Sequence, residues 1–186
     1  MRIYDEIPKY NQSGDPDDWH RFFIGMCVYV SQKSKDRSTK LGAVIVDDDH
    51  DILSVGWNGF PRGVDDNNAE LHKRPTKYAV TQHAERNAIY NAGRKGVSLK
   101  GATLYLPFYP TPCTGCTTAI LQTGIKRIVG TPFKFTGKGK QWDEDLAFAQ
   151  TLIETTLQRG SDLRVIKQYI VDVGENLDIR NFYGVK

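Results

Sequence analysis

His83-Ala84-Glu85 and Pro112-Cys113-Thr114-Gly115-Cys116 are the stretches on which the reading of this chain turns. Cys113 and Cys116 are about one helical turn apart, so both sulfurs fall on one face. Pro112 places them at a helix N-terminus, where the dipole and free N–H groups favour thiolates, the form that binds metal. His83 supplies a nitrogen at the start of a second helix. Positions two apart on a regular helix point roughly 200° away from each other. His83 and Glu85 therefore share one site only if His83 stands at the helix entrance, in backbone that is not yet helical. Tyr78–Gln82 shows no helical pattern and permits this.

Structural zinc sites close with four protein ligands, whereas catalytic ones use three and leave a position for water. His83, Cys113 and Cys116 make three, and Glu85 is left free to move protons. Two thiolates neutralise the charge of a divalent zinc, and neutral histidine keeps bound hydroxide nucleophilic. Taken alone, the CxxC reads equally as a structural zinc knot or as no metal site. The upstream His-Ala-Glu completes HxE…PCxxC, the signature of zinc-dependent base deaminases.

Composition bounds the alternatives. A length of 186 residues suits one domain spanning 1–186 with a real core. A hydrophobic share of 39% and a charged share of 25% are those of an ordinary globular protein. No apolar run approaches the roughly 20 residues that span a bilayer, and Met1–Glu6 lacks the apolar stretch of a secretory signal. Three cysteines, two of them in the CxxC, argue for a reducing compartment, and a cytoplasmic location is expected. A net charge of +3 is too small to indicate a nucleic-acid partner.

Along the chain, Asp15-Pro16 is a helix start. Trp19, Phe22, Phe23, Met26 and Val30 recur at helical spacing, giving a helix over 16–33. Leu41–Val46 and Ile52–Trp57 are strands joined by an acidic turn at Asp47–Asp51. Residues 58–80 are polar and rich in turn formers, a long loop of a length that is usually functional or mobile. A helix over 83–92 stops at Gly93, Ala102–Leu106 is a strand, and the helix opened by Pro112 ends before Gly124. Lys126–Gly130 is a strand, a helix containing Trp142, Leu146, Ala149, Leu152, Ile153 and Thr156 stops at Gly160, and Leu163–Lys167 is the last strand. Strands alternating with helices give an α/β sheet with parallel connections. Cys27, Trp142 and Phe148 are expected in the core, and His20 and His50 at the surface.

These residues resemble the cytidine deaminase superfamily, and within it the deoxycytidylate deaminases. Beyond the zinc motif the resemblance rests on Ser34-Lys35-Asp36, Lys40–Val46, Gly56-Trp57-Asn58-Gly59-Phe60-Pro61-Arg62-Gly63, His83–Ile89 and Gly124-Ile125-Lys126. It covers about residues 19–131, with a C-terminal helix, strand and tail over 141–186. It implies a three-layer α/β/α sandwich around a five-stranded mixed sheet. It further implies hydrolysis of dCMP to dUMP with release of ammonia, which feeds thymidylate synthesis. Many members of that family are homohexamers activated by dCTP and inhibited by dTTP, with Mg²⁺ accompanying the triphosphate, and the resemblance implies the same here. Some relatives carry a second, structural zinc. Asp36-Arg37 after Lys35, and a long loop offering His72 but no cysteine, predict one zinc per chain here.

The same resemblance implies Ser34 and Lys35 as phosphate contacts, although a basic stretch such as Gln32–Arg37 is also an ordinary solvated patch. Asn58 follows a strand, where α/β sheets place ligand groups. It is either a contact to the sugar hydroxyl or a turn residue. The Ala84 N–H is expected to meet the pyrimidine carbonyl, and Tyr109 or Phe108 to stack on the base or fill the rim. Gly59, Arg62 and Arg94 are candidates for an effector triphosphate or a subunit interface, or plain surface residues. The competing readings are a deaminase of tRNA bases, a deaminase of phosphate-free cytidine or guanine, and an inactive zinc-stabilised module. Glu85 speaks against the last of these, because a structural site has no use for an unliganded acid there.

Overall fold

Gly42–Val46 forms β1, and every residue of it is buried, because it runs in the middle of the sheet with helices on both faces. The computed structural model describes residues 18–134, 140–158 and 166–172. Ile52–Trp57 (β2) pairs antiparallel with β1 across a turn in which the Asp47 carboxylate accepts from the Asp49 and Asp51 amides. Thr103–Tyr105 (β3) pairs antiparallel with the other edge of β1. Arg127–Gly130 (β4) and Lys167–Ile170 (β5) then add in parallel. The order is β2-β1-β3-β4-β5, a five-stranded mixed sheet.

The side-chain period of two sorts the core into two layers. Val44, Val46, Tyr105 and Val129 face Phe23, Ile24, Cys27 and Val28 of α1, Asp18–Ser31. Ala43, Ile45, Leu104 and Ile128 face the opposite side. There they meet Ala84, Ala88 and Ala92 of α3 (Ala84–Arg94), Ile120 of α4 (Thr114–Thr123) and Ile153 of α5 (Lys140–Gln158). Cys27 is buried as expected. The three-layer arrangement implied by the resemblance is present. No helix among the described residues is long and apolar enough to cross a membrane.

Several local expectations need correction. The stretch 58–80 is not all loop: a 3-10 turn covers Ala69–His72, and α2 covers Thr76–Val80, so Tyr78–Val80 is helical. Gly93 does not stop α3, which runs on to Arg94, while Gly96 takes the left-handed conformation after it (φ 69°). Gly124 does terminate α4 in that conformation (φ 78°). The last strand lies at 167–170 rather than 163–167. The Asp15-Pro16 start and the Gly160 stop fall outside the described residues.

The apolar stripe of α1 is turned from the one expected, so that Trp19 and Phe22 are exposed at its edge. On α5, Trp142, Leu146, Ala149 and Ile153 form one i, i+3/i+4 stripe. Ala149 and Ile153 are core, Trp142 and Leu146 reach a cavity, and Phe148 lies off the stripe, 56% exposed. Neither Trp142 nor Phe148 is therefore a core residue. His50 is exposed, but His20 is half-buried, with Nδ1 2.8 Å from the Tyr105 hydroxyl.

Candidate active site

Two helix starts converge here, as the motifs require. His83 is the N-cap of α3 in extended backbone (φ −73°, ψ 157°), and Cys113 is the N-cap of α4 (φ −59°, ψ 161°). Pro112 thus stands one residue before the cap rather than inside the helix. Thr117 and Cys116 donate their amides to the Cys113 carbonyl, closing the first turn of α4. That turn brings Cys116 beneath Cys113. His83 Nδ1 lies 3.3 Å from Cys113 Sγ and 3.5 Å from Cys116 Sγ. The three donor atoms all lie within 4.8 Å of one another.

These spacings fit a metal. Tetrahedral zinc with sulfur at about 2.3 Å and nitrogen at about 2.0 Å has S–N edges of about 3.5 Å. Glu85 supplies a second observation. It is 2% exposed, and its Oε2 atom is buried without a hydrogen-bond partner among the described residues. A carboxylate oxygen left in that condition is costly unless something at the site uses it.

The electrostatics follow from burial and close contact. Hydrogen bonds from Cys116 and His83 hold Cys113 well below the usual thiol range, at about 4, against the upward push of burial. Burial lowers His83, but the adjoining Cys113 outweighs it and raises the imidazole to about 9. Burial drives Glu85 above the ordinary carboxylate range, with His83 opposing. Contact with Cys113 and burial push the Cys116 thiol well up, so of the three donors Cys113 alone is already a thiolate, and binding zinc would release the protons of His83 and Cys116.

The site opens into a cavity of about 340 Å³, inside the range for small-molecule sites. His83, Glu85 and Cys113 line one part of it, and Trp142, Tyr78, Phe108, Leu41 and Leu146 give flat or apolar walls. Asp36, Thr39, Asn58, Arg74, Lys77 and Thr81 supply the polar lining. Lys77 Nζ donates to the Asp36 carboxylate at 2.7 Å, and both side chains are nearly buried.

Of the remaining candidates, Asn58 lines the cavity, but its amide is engaged: Oδ1 accepts from the Leu41 N–H, and Nδ2 donates to the Thr39 carbonyl and Asp36. Ser34 is buried and donates to the Asn58 carbonyl at 2.7 Å, bracing that residue from behind. Lys35 pairs with Asp66 at 2.6 Å at the surface. Phe108 lines the cavity, while Tyr109 turns aside with Lys134 Nζ 4.1 Å from its ring centroid. Ala84 is buried at the first turn of α3, beside His83 and Glu85. Gly59 exchanges both backbone hydrogen bonds with Gln82, Arg62 donates to Asn91 at 2.7 Å, and Arg94 is exposed at the end of α3.

Sequence reasoning missed Arg74, Lys77 and Tyr78 because it took their segment as part of one long loop. It missed Trp142 because helical spacing alone does not tell a core wall from a cavity wall.

Comparison with known proteins agrees with this geometry. Residues 17–131 match the family model described as the cytidine and deoxycytidylate deaminase zinc-binding region. The chain is similar to deoxycytidylate deaminase of Mus musculus, 36% identical over 117 residues, covering 60% of this chain and 64% of that protein. It is also similar to an uncharacterized deaminase of Aliivibrio fischeri, 42% identical over 110 residues, covering 59% of this chain and 70% of that one. The chain thus spans 64% of the length of the mouse relative, and the same share of its human counterpart. Among solved structures, the fold is that of the dCMP deaminase of cyanophage S-TIM5, with TM-score 0.57, 22% identity, and coverage of 84% of this chain and 99% of that one. Motif, donor geometry and the extent of the match lead to one conclusion: this chain belongs to the cytidine and deoxycytidylate deaminase family, by its zinc-binding region.

Proposed function

We propose that the protein is a zinc-dependent hydrolase that deaminates dCMP to dUMP and ammonia. One observation carries this reading: the buried, unpartnered Glu85 carboxylate oxygen beside a three-donor His/Cys/Cys set at the wall of a cavity of nucleotide-fitting size. Support for the substrate class comes from relatives. The similar mouse and human proteins are named deoxycytidylate deaminase, and the cyanophage enzyme has been solved in complex with dCMP and dUMP.

His83, Cys113 and Cys116 would hold a zinc ion, and its Lewis acidity would bring the pKa of water in the site to about 7. Glu85 acts as the proton carrier. Its carboxylate takes one proton from the attacking water and gives it to the ring nitrogen, then takes the second proton from that same oxygen and gives it to the amino group, which leaves as ammonia as the C=O bond forms. The raised proton affinity that burial gives Glu85 suits it to hold each proton between taking it and giving it up. The Ala84 N–H, at the positive end of α3, is assigned to the pyrimidine carbonyl. Asn58, braced by Ser34, is assigned to the sugar side of the cavity. Arg74 and Lys77 are the cations of the lining, and with Lys35, as the resemblance implies, they are assigned to the 5′-phosphate. Activation by dCTP, inhibition by dTTP with Mg²⁺ on the triphosphate, a homohexamer with Gly59, Arg62 and Arg94 at effector or subunit contacts, and a cytoplasmic location complete the proposal.

The test is ammonia release from dCMP, CMP, deoxycytidine, dCTP and tRNA, with Glu85→Gln run alongside. Turnover of dCMP first among these, lost by at least about a thousandfold in Glu85→Gln with zinc retained, is the expected outcome. A Glu85→Gln protein that turns over dCMP like the parent would end the proposal.

A further inference from the structure

We infer that Trp142 of α5 is the wall against which the substrate's pyrimidine ring stacks, a specificity residue supplied from outside the family-matched region. This rests on the deaminase reading above and names a residue that the zinc motif does not contain. The Trp142 ring lies nearly parallel to the His83 imidazole, with centroids 6.4 Å apart and planes at 23°. Tyr78 meets it edge-on at 6.3 Å and 68°. All three rings line the cavity that Glu85 also lines. A planar indole lining the same cavity as the metal-donor imidazole, and nearly parallel to it, offers a π face to a flat ring held there, and base–aromatic stacking is strong and needs no hydrogen bond.

The position of this indole is not left to the flexibility of a helix end. The Asp145 carboxylate accepts from the Thr114 N–H at 3.0 Å, and the Asp145 carbonyl accepts from the Thr114 hydroxyl at 3.0 Å. Further along α5, the Gln150 side chain accepts from the Thr111 hydroxyl at 2.8 Å. Thr111 and Thr114 flank Cys113, so α5 is registered directly to the backbone that carries a zinc donor. The same stripe that anchors Ala149 and Ile153 in the core carries Trp142 and Leu146 out to the cavity. A residue serving only to fill the core would lie further along that stripe.

The test compares full-length, zinc-loaded Trp142→Leu and Trp142→Phe proteins with the parent in steady-state dCMP deamination, with zinc content measured on each. Leucine keeps apolar volume but removes the π face, and phenylalanine restores one. The expected result for Trp142→Leu is a KM about tenfold or more above the parent, a kcat within about threefold, and unchanged zinc; Trp142→Phe recovers most of the loss. A KM for Trp142→Leu within twofold of the parent overturns the inference, as does a Trp142→Phe protein that fails equally and loses zinc. Should Trp142→Leu not fold, a Trp19→Phe, Trp57→Phe protein leaves Trp142 as the single indole. Its fluorescence is expected to be quenched by dUMP, and an unchanged spectrum at saturating dUMP overturns the stacking. An active parent with an unaffected Trp142→Leu rejects the stacking alone. A parent that releases no ammonia from any cytosine nucleotide rejects the deaminase reading, and the stacking with it.

Discussion

Gly56→Ala is the substitution whose consequences the structure defines most sharply. Gly56 lies in β2 directly beneath α3. A Cβ added there would sit 2.3 Å from the Ala84 carbonyl oxygen, 2.3 Å from the Ala88 nitrogen and 2.9 Å from the Ala88 Cα. These are backbone atoms, so no side chain can rotate out of the way. Regaining ordinary contact at 3.4 Å requires α3 to retreat from the sheet by about 1 Å.

That retreat strains three hydrogen bonds joining the helix to the edge strand. They run from Ser54 to the Ala88 carbonyl, from Asn87 to the Trp57 carbonyl, and from Asn91 to the Val55 carbonyl, at 2.8, 2.7 and 2.8 Å. Overpacking costs about 1–3 kcal/mol and each weakened hydrogen bond up to about 1 kcal/mol, so a loss of about 3–5 kcal/mol is expected. Glu85 and His83 ride on the displaced turn, and a 1 Å misplacement of reacting groups costs about a hundredfold in rate. Urea unfolding followed by circular dichroism, with kcat measured on dCMP, reads both effects. Gly59→Ala is the control, because nothing lies within 4 Å of a Cβ there. A Gly56→Ala protein within about 0.5 kcal/mol of the parent and within twofold in kcat would refute the claim that this contact seats the catalytic carboxylate.

Two further outcomes follow from the same framework. Asp36 accepts from Lys77 and from the Ser38 and Thr39 amides. Burial pushes its pKa up, but those partners outweigh it and hold the carboxyl below the ordinary value. A folded-state pKa below the unfolded one stabilises the protein above about pH 4 and loses that contribution as pH falls through the folded value. Asp36→Asn is therefore expected to cost about 2 kcal/mol or more at pH 7 and to flatten the fall in stability below about pH 4; urea midpoints across pH that superimpose on the parent's would contradict this. Gly93 is exposed within α3 with nothing within 4 Å of an added Cβ, so Gly93→Ala is expected to raise stability by about 0.5–1 kcal/mol; an unfolding midpoint at or below the parent's would contradict that.

The candidate metal donors and the carboxylate proposed to carry the proton were legible in the primary structure because their chemistry is written in residue type and short spacing. An N-cap histidine, a carboxylate two positions later and a CxxC at a helix start restrict the local backbone so tightly that their convergence can be anticipated. Strands and long helices were legible for a similar reason, since periodicities of two and 3.6 are local properties. The boundaries at Gly93 and at the last strand were not: the left-handed residue after α3 is Gly96 rather than Gly93, and the last strand is set by its register on β4.

The lining of the cavity was the least legible part. Lys77 reads as one more lysine in a polar stretch until the fold sets it 2.7 Å from Asp36, which lies 41 residues earlier. Ser34 and Asn58 carry the expected residue types, yet their polar atoms are engaged by partners that local sequence does not reveal. By itself, then, the order of amino acids determined which side chains are proposed to hold a metal and move a proton, because those roles depend on chemical type and on neighbours within one helical turn. Only the tertiary structure decided what surrounds them. Whether Trp142 faces a core or a cavity, and whether an amide is spent or available, depends on which distant elements the sheet order brings together.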